Sequence, residues 1–67
     1  MMVYRQRLFE RITGISHLIT ITFESRRVYE VRFDGEFYST AESRVKALEE
    51  AVDIIRIYNL RPINMAF

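Results

Sequence analysis

The dipeptide Asp34-Gly35 lies between two alternating segments, Arg27 to Phe33 and Glu36 to Ser39. A two-residue loop of this kind favours a type I′ turn, because both central positions need positive φ and Asp and Gly adopt it at low cost. Such a turn fixes a register as well as a hairpin. Phe33 is expected to pair with Glu36, Arg32 with Phe37 and Val31 with Tyr38, which sends Phe37 to one face and Tyr38 to the other. Upstream, Ser16 to Glu24 is rich in β-branched residues and places Ile19, Ile21 and Phe23 on a single face. With Ser25 and Arg26 as the intervening turn, the prediction is a three-stranded antiparallel meander over about 16–39. Its inner face carries Ile19, Ile21, Phe23, Tyr29, Val31 and Phe33.

Ser39-Thr40-Ala41-Glu42 has the spacing of a capping box, so a helix is expected over about 40–59. Ala41, Val45, Leu48, Val52 and Ile55 form one apolar stripe on it, and Ala47, Ala51, Ile54 and Tyr58 form a neighbouring one. Together they span roughly 180°, more than the ~100° stripe of a helix buried on one side only. One sheet is therefore not expected to cover both. Arg61-Pro62 ends the pattern, since the residue before proline is biased out of the α region. Ile63, Met65 and Phe67 then alternate with Asn64 and Ala66, as in a short terminal strand or a docking tail.

The N-terminal segment admits two readings. Tyr4, Leu8, Phe9 and Ile12 fall on one helical arc, with Gly14 placed as a C-terminal cap, which predicts a short helix. The alternation of Val3, Arg5, Arg7 and Phe9 against Tyr4 and Leu8 fits an edge strand instead. In either case the expectation is one small α+β domain spanning residues 1–67.

At 67 residues a chain has little core to hold it together, and the absence of cysteine removes disulfides and thiolate metal sites as staples. Self-association remains as a way to bury more apolar surface, so a homodimer is expected. The longest uncharged stretch, Ile12 to Phe23, is too short to span a bilayer, and Met1 and Met2 open no basic-then-apolar leader. A cytoplasmic protein with no membrane contact is expected. Net charge is only +1, yet nine of the ten basic residues are arginine, with Lys46 the exception. The guanidinium fork suits carboxylates, phosphates and aromatic faces, which points to binding.

Groups for catalysis are sparse. His17 is the single histidine, and no nucleophile or orienting carboxylate stands at a recognisable spacing from it. A structural or surface role is expected. Glu49, Glu50 and Asp53 cluster on the helix, with Lys46 and Arg56 in reach, and read as a solvated, salt-bridged face rather than a cation site. Two glycines cannot build a phosphate loop or a dinucleotide fingerprint. No enzyme, cofactor or metal is expected.

Two surfaces are left for partners. Leu18, Arg26, Arg27, Arg32 and Phe37 form the candidate binding surface on the outer sheet face and its turn, unless the N-terminal segment or the C-terminal tail covers it. Ile54, Tyr58, Ile63, Met65 and Phe67 form the candidate dimer surface. The leading expectation is a non-enzymatic protein-interaction module of adaptor or inhibitor type, acting as a homodimer. The alternative is a nucleic-acid-binding regulator that uses the arginine- and aromatic-bearing sheet face. The order strand-strand-strand-helix occurs in several small DNA- and RNA-binding domains, which is an analogy of fold alone.

Overall fold

The structure, a computed structural model, describes residues 1–62. Five strands, β1 (Met2–Glu10), β2 (Ser16–Ser25), β3 (Val28–Phe33), β4 (Glu36–Ala41) and β5 (Leu60–Pro62), form one antiparallel sheet in the order β4-β3-β2-β1-β5. A single helix, α1 (Arg44–Ile57), connects one edge strand to the other and lies on one face of the sheet.

The α+β class is as expected, but β2, β3 and β4 are part of a five-stranded sheet and not a three-stranded meander on their own; the central turn takes the expected form. Asp34 and Gly35 have φ values of 56° and 82°, as a type I′ loop requires. Phe33 pairs with Glu36 and Arg32 with Phe37. The register then departs from expectation, because a bulge lets Val31 pair with Ser39 rather than Tyr38. Tyr38 is the extra residue and does not join the inner face, while Ser39 turns inward and its hydroxyl donates to Glu50 Oε1 on α1 at 3.0 Å. A bulge on an edge strand also twists that edge away from unwanted pairing.

The N-terminal segment is a strand, so the helical reading of residues 1–13 is overturned and the sheet has five strands where three were expected. β2 would otherwise leave one side of its backbone unpaired, and β1 satisfies it from Tyr4↔Ile21 to Phe9↔Ser16. Tyr4 and Leu8 then face the helix, and Arg5, Arg7 and Phe9 face away. Ile12, which the helical arc had placed inside, is exposed. Gly14, at φ 76°, serves the β1–β2 loop and donates its amide to Glu10 O at 2.9 Å.

The helix begins four residues later than the Ser39 capping box implies. β3 offers ladder partners to Thr40 and Ala41, through Glu30 and Tyr29, and the chain stays extended to use them. Ser43 is the N-cap instead, with φ −144° and ψ 163°, and its hydroxyl accepts from the Lys46 amide at 3.2 Å. At the other end Tyr58 caps the helix and Asn59 takes a left-handed conformation at φ 54°. The helix therefore stops before Arg61-Pro62, and Leu60 to Pro62 pair with β1 as β5. That short strand precedes the segment where a terminal strand was expected, and Ile63, Met65 and Phe67, which carry that expectation, fall outside the described residues.

The core is Leu8, Ile19, Ile21 and Val31 from the sheet, Ala47, Ala51 and Ile54 from α1, and Leu60 from β5. Two alanines on the buried stripe let the helix backbone approach the sheet closely. Ile54, expected at a dimer surface, has none of its area exposed: it fills the middle of the chain's own core and is not free to meet a second subunit.

Candidate functional site

One end of the sheet carries a cluster that the sequence did not announce. His17, near the start of β2, faces the helix side with a side chain only 14% exposed. Its Nδ1 lies 2.6 Å from Asp34 Oδ2 in the type I′ turn, and its Nε2 lies 2.6 Å from Glu10 Oε2 at the end of β1. Asp34 Oδ1 also accepts from the Leu18 amide at 2.9 Å, and Glu10 Oε1 accepts from the Thr13 hydroxyl at 2.8 Å. The imidazole ring stacks on Phe33, with centroids 5.0 Å apart, and Phe33 stacks in turn on Tyr58 at the end of α1. Strand ends, hairpin turn and helix terminus are thus joined around one ring.

The electrostatics follow from those contacts. Hydrogen bonds to Asp34 and then Glu10 hold the His17 pKa above its ordinary value, against the opposing effect of burial. The His17 and Thr13 hydrogen bonds hold Glu10 below the usual carboxylate range. For Asp34 burial pushes upward, but the hydrogen bonds from His17 and the Leu18 amide outweigh it and the net shift is downward. A carboxylate oxygen 2.6 Å from each ring nitrogen favours the doubly protonated ring, the form in which both nitrogens donate. The two carboxylates sit on opposite sides of the ring, and among the described residues no group of three or more His, Cys, Asp or Glu could hold a metal ion. The cluster acts as a clasp.

Glu10 and Asp34 escaped notice because the N-terminal segment was read first as a helix. Its reading as an edge strand, with Gly14 in the turn, carries Glu10 back beside His17, and Asp34 was already placed in the turn next to β2. The acidic group on α1 is dispersed: Glu50 receives the Ser39 hydrogen bond, while Glu49 and Asp53 lie with Arg56 around a shallow depression lined by Val45, Leu48 and Val52.

Among the described residues that depression is one of two surfaces that no other element covers. Val45 is 65% and Val52 49% exposed, while Leu48 and Ile55 of the same stripe pack partly buried against the core that Ala47, Ala51 and Ile54 complete. Tyr58, expected at a dimer surface, is partly engaged through its stack on Phe33 and otherwise exposed.

The second surface is the sheet face opposite α1. Its ladder rows can be read from the pairing: Arg5, Thr20, Arg32 and Phe37 form one row across four strands, Arg7 and Leu18 the next, and Phe9 and Arg61 a third. Leu18, Arg32 and Phe37 are therefore brought together as expected, and Phe37 is 60% exposed. Arg26 and Arg27 are not part of the group. They form the β2–β3 turn, with Arg27 at φ 64°, at the opposite end of β3, roughly 16 Å along the strand from Arg32. Arg5 and Arg7 take their place, and only the strand reading of β1 could have found them. Of the two segments that could have covered this face, the N-terminal one does not, since it is itself a strand of the sheet, and the C-terminal tail falls outside the described residues.

No protein-family model, no curated protein and no solved structure matches this chain at a significant level. Among the described residues no helix is long and apolar enough to cross a membrane.

Proposed function

We propose that this chain is a non-enzymatic interaction module that works as a homodimer joined through the exposed flank of α1. The observation that supports it is the exposure of Val45 and Val52 on one flank of α1, at the rim of a depression whose floor includes the half-buried Leu48. Glu49, Asp53 and Arg56 run along that flank at spacings of four and three residues. A second copy crossing antiparallel about a two-fold axis near Val52 sets Arg56 of each helix opposite Glu49 of the other. The same geometry brings the two Asp53 carboxylates near the axis, where they repel. Self-association also answers the small size of the core, since a partner's apolar surface adds burial that one copy cannot supply. The clasped state of His17, with neither nitrogen free, favours binding over catalysis.

Sedimentation equilibrium tests the reading. The wild-type chain is expected at twice its 8.1 kDa mass, and Val52→Arg at the single mass with its circular dichroism unchanged. Asp53→Asn is expected to tighten the dimer. Glu49→Arg or Arg56→Glu alone should weaken it, and the two together should restore it. A wild-type chain that stays monomeric at high concentration, or a dimer indifferent to Val52→Arg, would remove the proposal.

A further inference from the structure

We propose that the open sheet face binds single-stranded nucleic acid, with Arg5, Arg7 and Arg32 on the phosphates and Phe37 as the stacking platform for a base. The first ground is the distribution of charge. Arg5, Arg7, Arg32 and Arg61 all fall on this face toward the end that holds the Asp34-Gly35 turn. The acidic residues that share the face, Glu30 and Glu24, lie toward the other end. Glu30 is bonded to Arg32 Nε at 2.8 Å, and Glu24 accepts from Thr22 at 2.6 Å. Four of the ten basic residues of a chain of net charge +1 thus share half of one face. Among the described residues Arg5 and Arg7 make no salt bridge, and Asp34, whose carboxylate lies near Arg7, is itself engaged by His17 and the Leu18 amide.

The second ground is spacing. Arg5 and Arg7 are alternate residues of β1, about 7 Å apart, and Arg5 and Arg32 share a ladder row with Thr20 between them, about 10 Å apart. The cations therefore form a track that crosses the strands, which suits an extended polyanion better than a single small anion. Arg32 also donates Nη1 to Gly35 O at 3.0 Å, which holds its guanidinium plane in place beside Phe37.

The third ground is the aromatic. Phe37 is the row neighbour of Arg32, is 60% exposed, and takes no part in the ring stacks that engage Phe33, Phe23, Tyr29 and Tyr58. An exposed phenyl ring beside an arginine on a sheet offers a π-face to an unstacked base. A single strand suits this face because its bases are free to leave the stack and meet the phenyl ring, whereas a duplex keeps them paired and stacked. Thr20 adds a hydroxyl group between Arg5 and Arg32.

Fluorescence anisotropy with a labelled oligothymidylate tests the inference on the full chain. Binding at low salt is expected, with log K falling against log salt at a slope of about −2 to −3 for three or four phosphates on a single strand. Arg5→Gln with Arg7→Gln should weaken binding more than tenfold and lower the slope by about 1.4. Phe37→Ala should cost at least about fivefold in affinity. All three positions are exposed, and an unchanged melting temperature confirms that the variants are folded. Arg26→Gln with Arg27→Gln, at the far turn, should cost less than the Arg5 and Arg7 pair.

Absence of binding at low salt overturns the inference. So does polyglutamate competing as well as the oligonucleotide while Phe37→Ala has no effect, which would assign the face to an acidic protein. A larger loss from the Arg26 and Arg27 pair would move the contact to the turn and overturn the site. The Val52→Arg monomer keeps its sheet face, so oligonucleotide binding by that variant is independent of whether the dimer exists.

Discussion

Two stripes of the same helix, each apolar and each built at spacings of three and four residues, meet opposite fates. Ala47, Ala51 and Ile54 are sealed against the sheet, whereas Val45 and Val52, about a quarter to a half of a turn away, stay open to solvent. Hydrophobicity does not separate them, since valine is more apolar than alanine. What separates them is size and backbone approach: the sheet takes the stripe whose small side chains let the helix come close, with Ile54 as its one large, fully buried member and Leu48 and Ile55 packed at its margin. Periodicity identifies which residues are apolar, and packing decides which of them face the chain's own core.

The sharpest way to break this contrast is to truncate one residue from each stripe. Ile54→Ala opens a cavity in the middle of the core and is expected to cost about 3 kcal/mol of stability, measured by urea unfolding. In a chain this small that loss threatens folding itself. Val52→Ala removes a similar group from an exposed position and improves helix propensity, so the stability of the single chain should change by less than about 0.5 kcal/mol. Its effect should appear in self-association. A wild-type melting temperature that rises with protein concentration, and rises less in Val52→Ala, would place that stripe at the interface. Equal losses from the two truncations would mean that the stripes are not distinct.

The capping serines give a smaller contrast of the same kind. Ser39 and Ser43 both precede the helix, and the local spacing of Ser39 with Glu42 matches the better-known pattern. Only Ser43 caps. Ser43→Ala should cost about 1 kcal/mol of stability, the usual value of a lost N-cap. Ser39→Ala should remove only a side-chain bond to Glu50 that partly faces solvent, and should cost less than Ser43→Ala in the same unfolding measurement. The reverse order would return the helix start to Ser39.

What could be read from the sequence followed from local rules, and what could not depended on partners far along the chain. The Asp34-Gly35 turn needs only its own two residues, and its φ values and first two pairs are as expected. The inner face of β2 and β3 needs only alternation. By contrast, residues 1–13 satisfy a helical and a strand pattern equally, and the decision comes from the unpaired side of β2, which only the assembled sheet presents. The Ser39 capping box fails for the same reason, because β3 is long enough to hold Thr40 and Ala41 in its ladder. The His17 clasp draws on three separated segments and becomes visible only once β1 is a strand. Leu18, Arg32 and Phe37 were found as a group because one turn fixes two of them, whereas Arg5 and Arg7 required the strand that was passed over.

The two ends of the sheet offer a final contrast, and pH separates them. At one end His17 is held between Glu10 and Asp34; at the other, the Arg26-Arg27 turn contains no group that titrates near neutrality. The His17 pKa is raised in the folded chain above its ordinary 6.5, so its stabilising contribution is complete below 6.5 and is lost as pH rises through the folded value. The pKa values of Glu10 and Asp34 are lowered from 4.5 and 3.8, so their contributions are complete above those values and are lost as pH falls through the folded ones. Arg7 lies close enough to Asp34 to favour its ionised form as well. The clasp is therefore strongest between about pH 5 and 6.5, where the ring is charged and both carboxylates are ionised in the folded and the unfolded chain. The groups are partly exposed and solvent screens them, so the effect on melting temperature should be small. Its shape identifies it: the wild-type melting temperature should decline from pH 6 to pH 8, and His17→Gln, which keeps hydrogen-bonding capacity without a titrating ring, should flatten that decline. A decline that persists unchanged in the variant would mean that the clasp does not set the pH response of this fold.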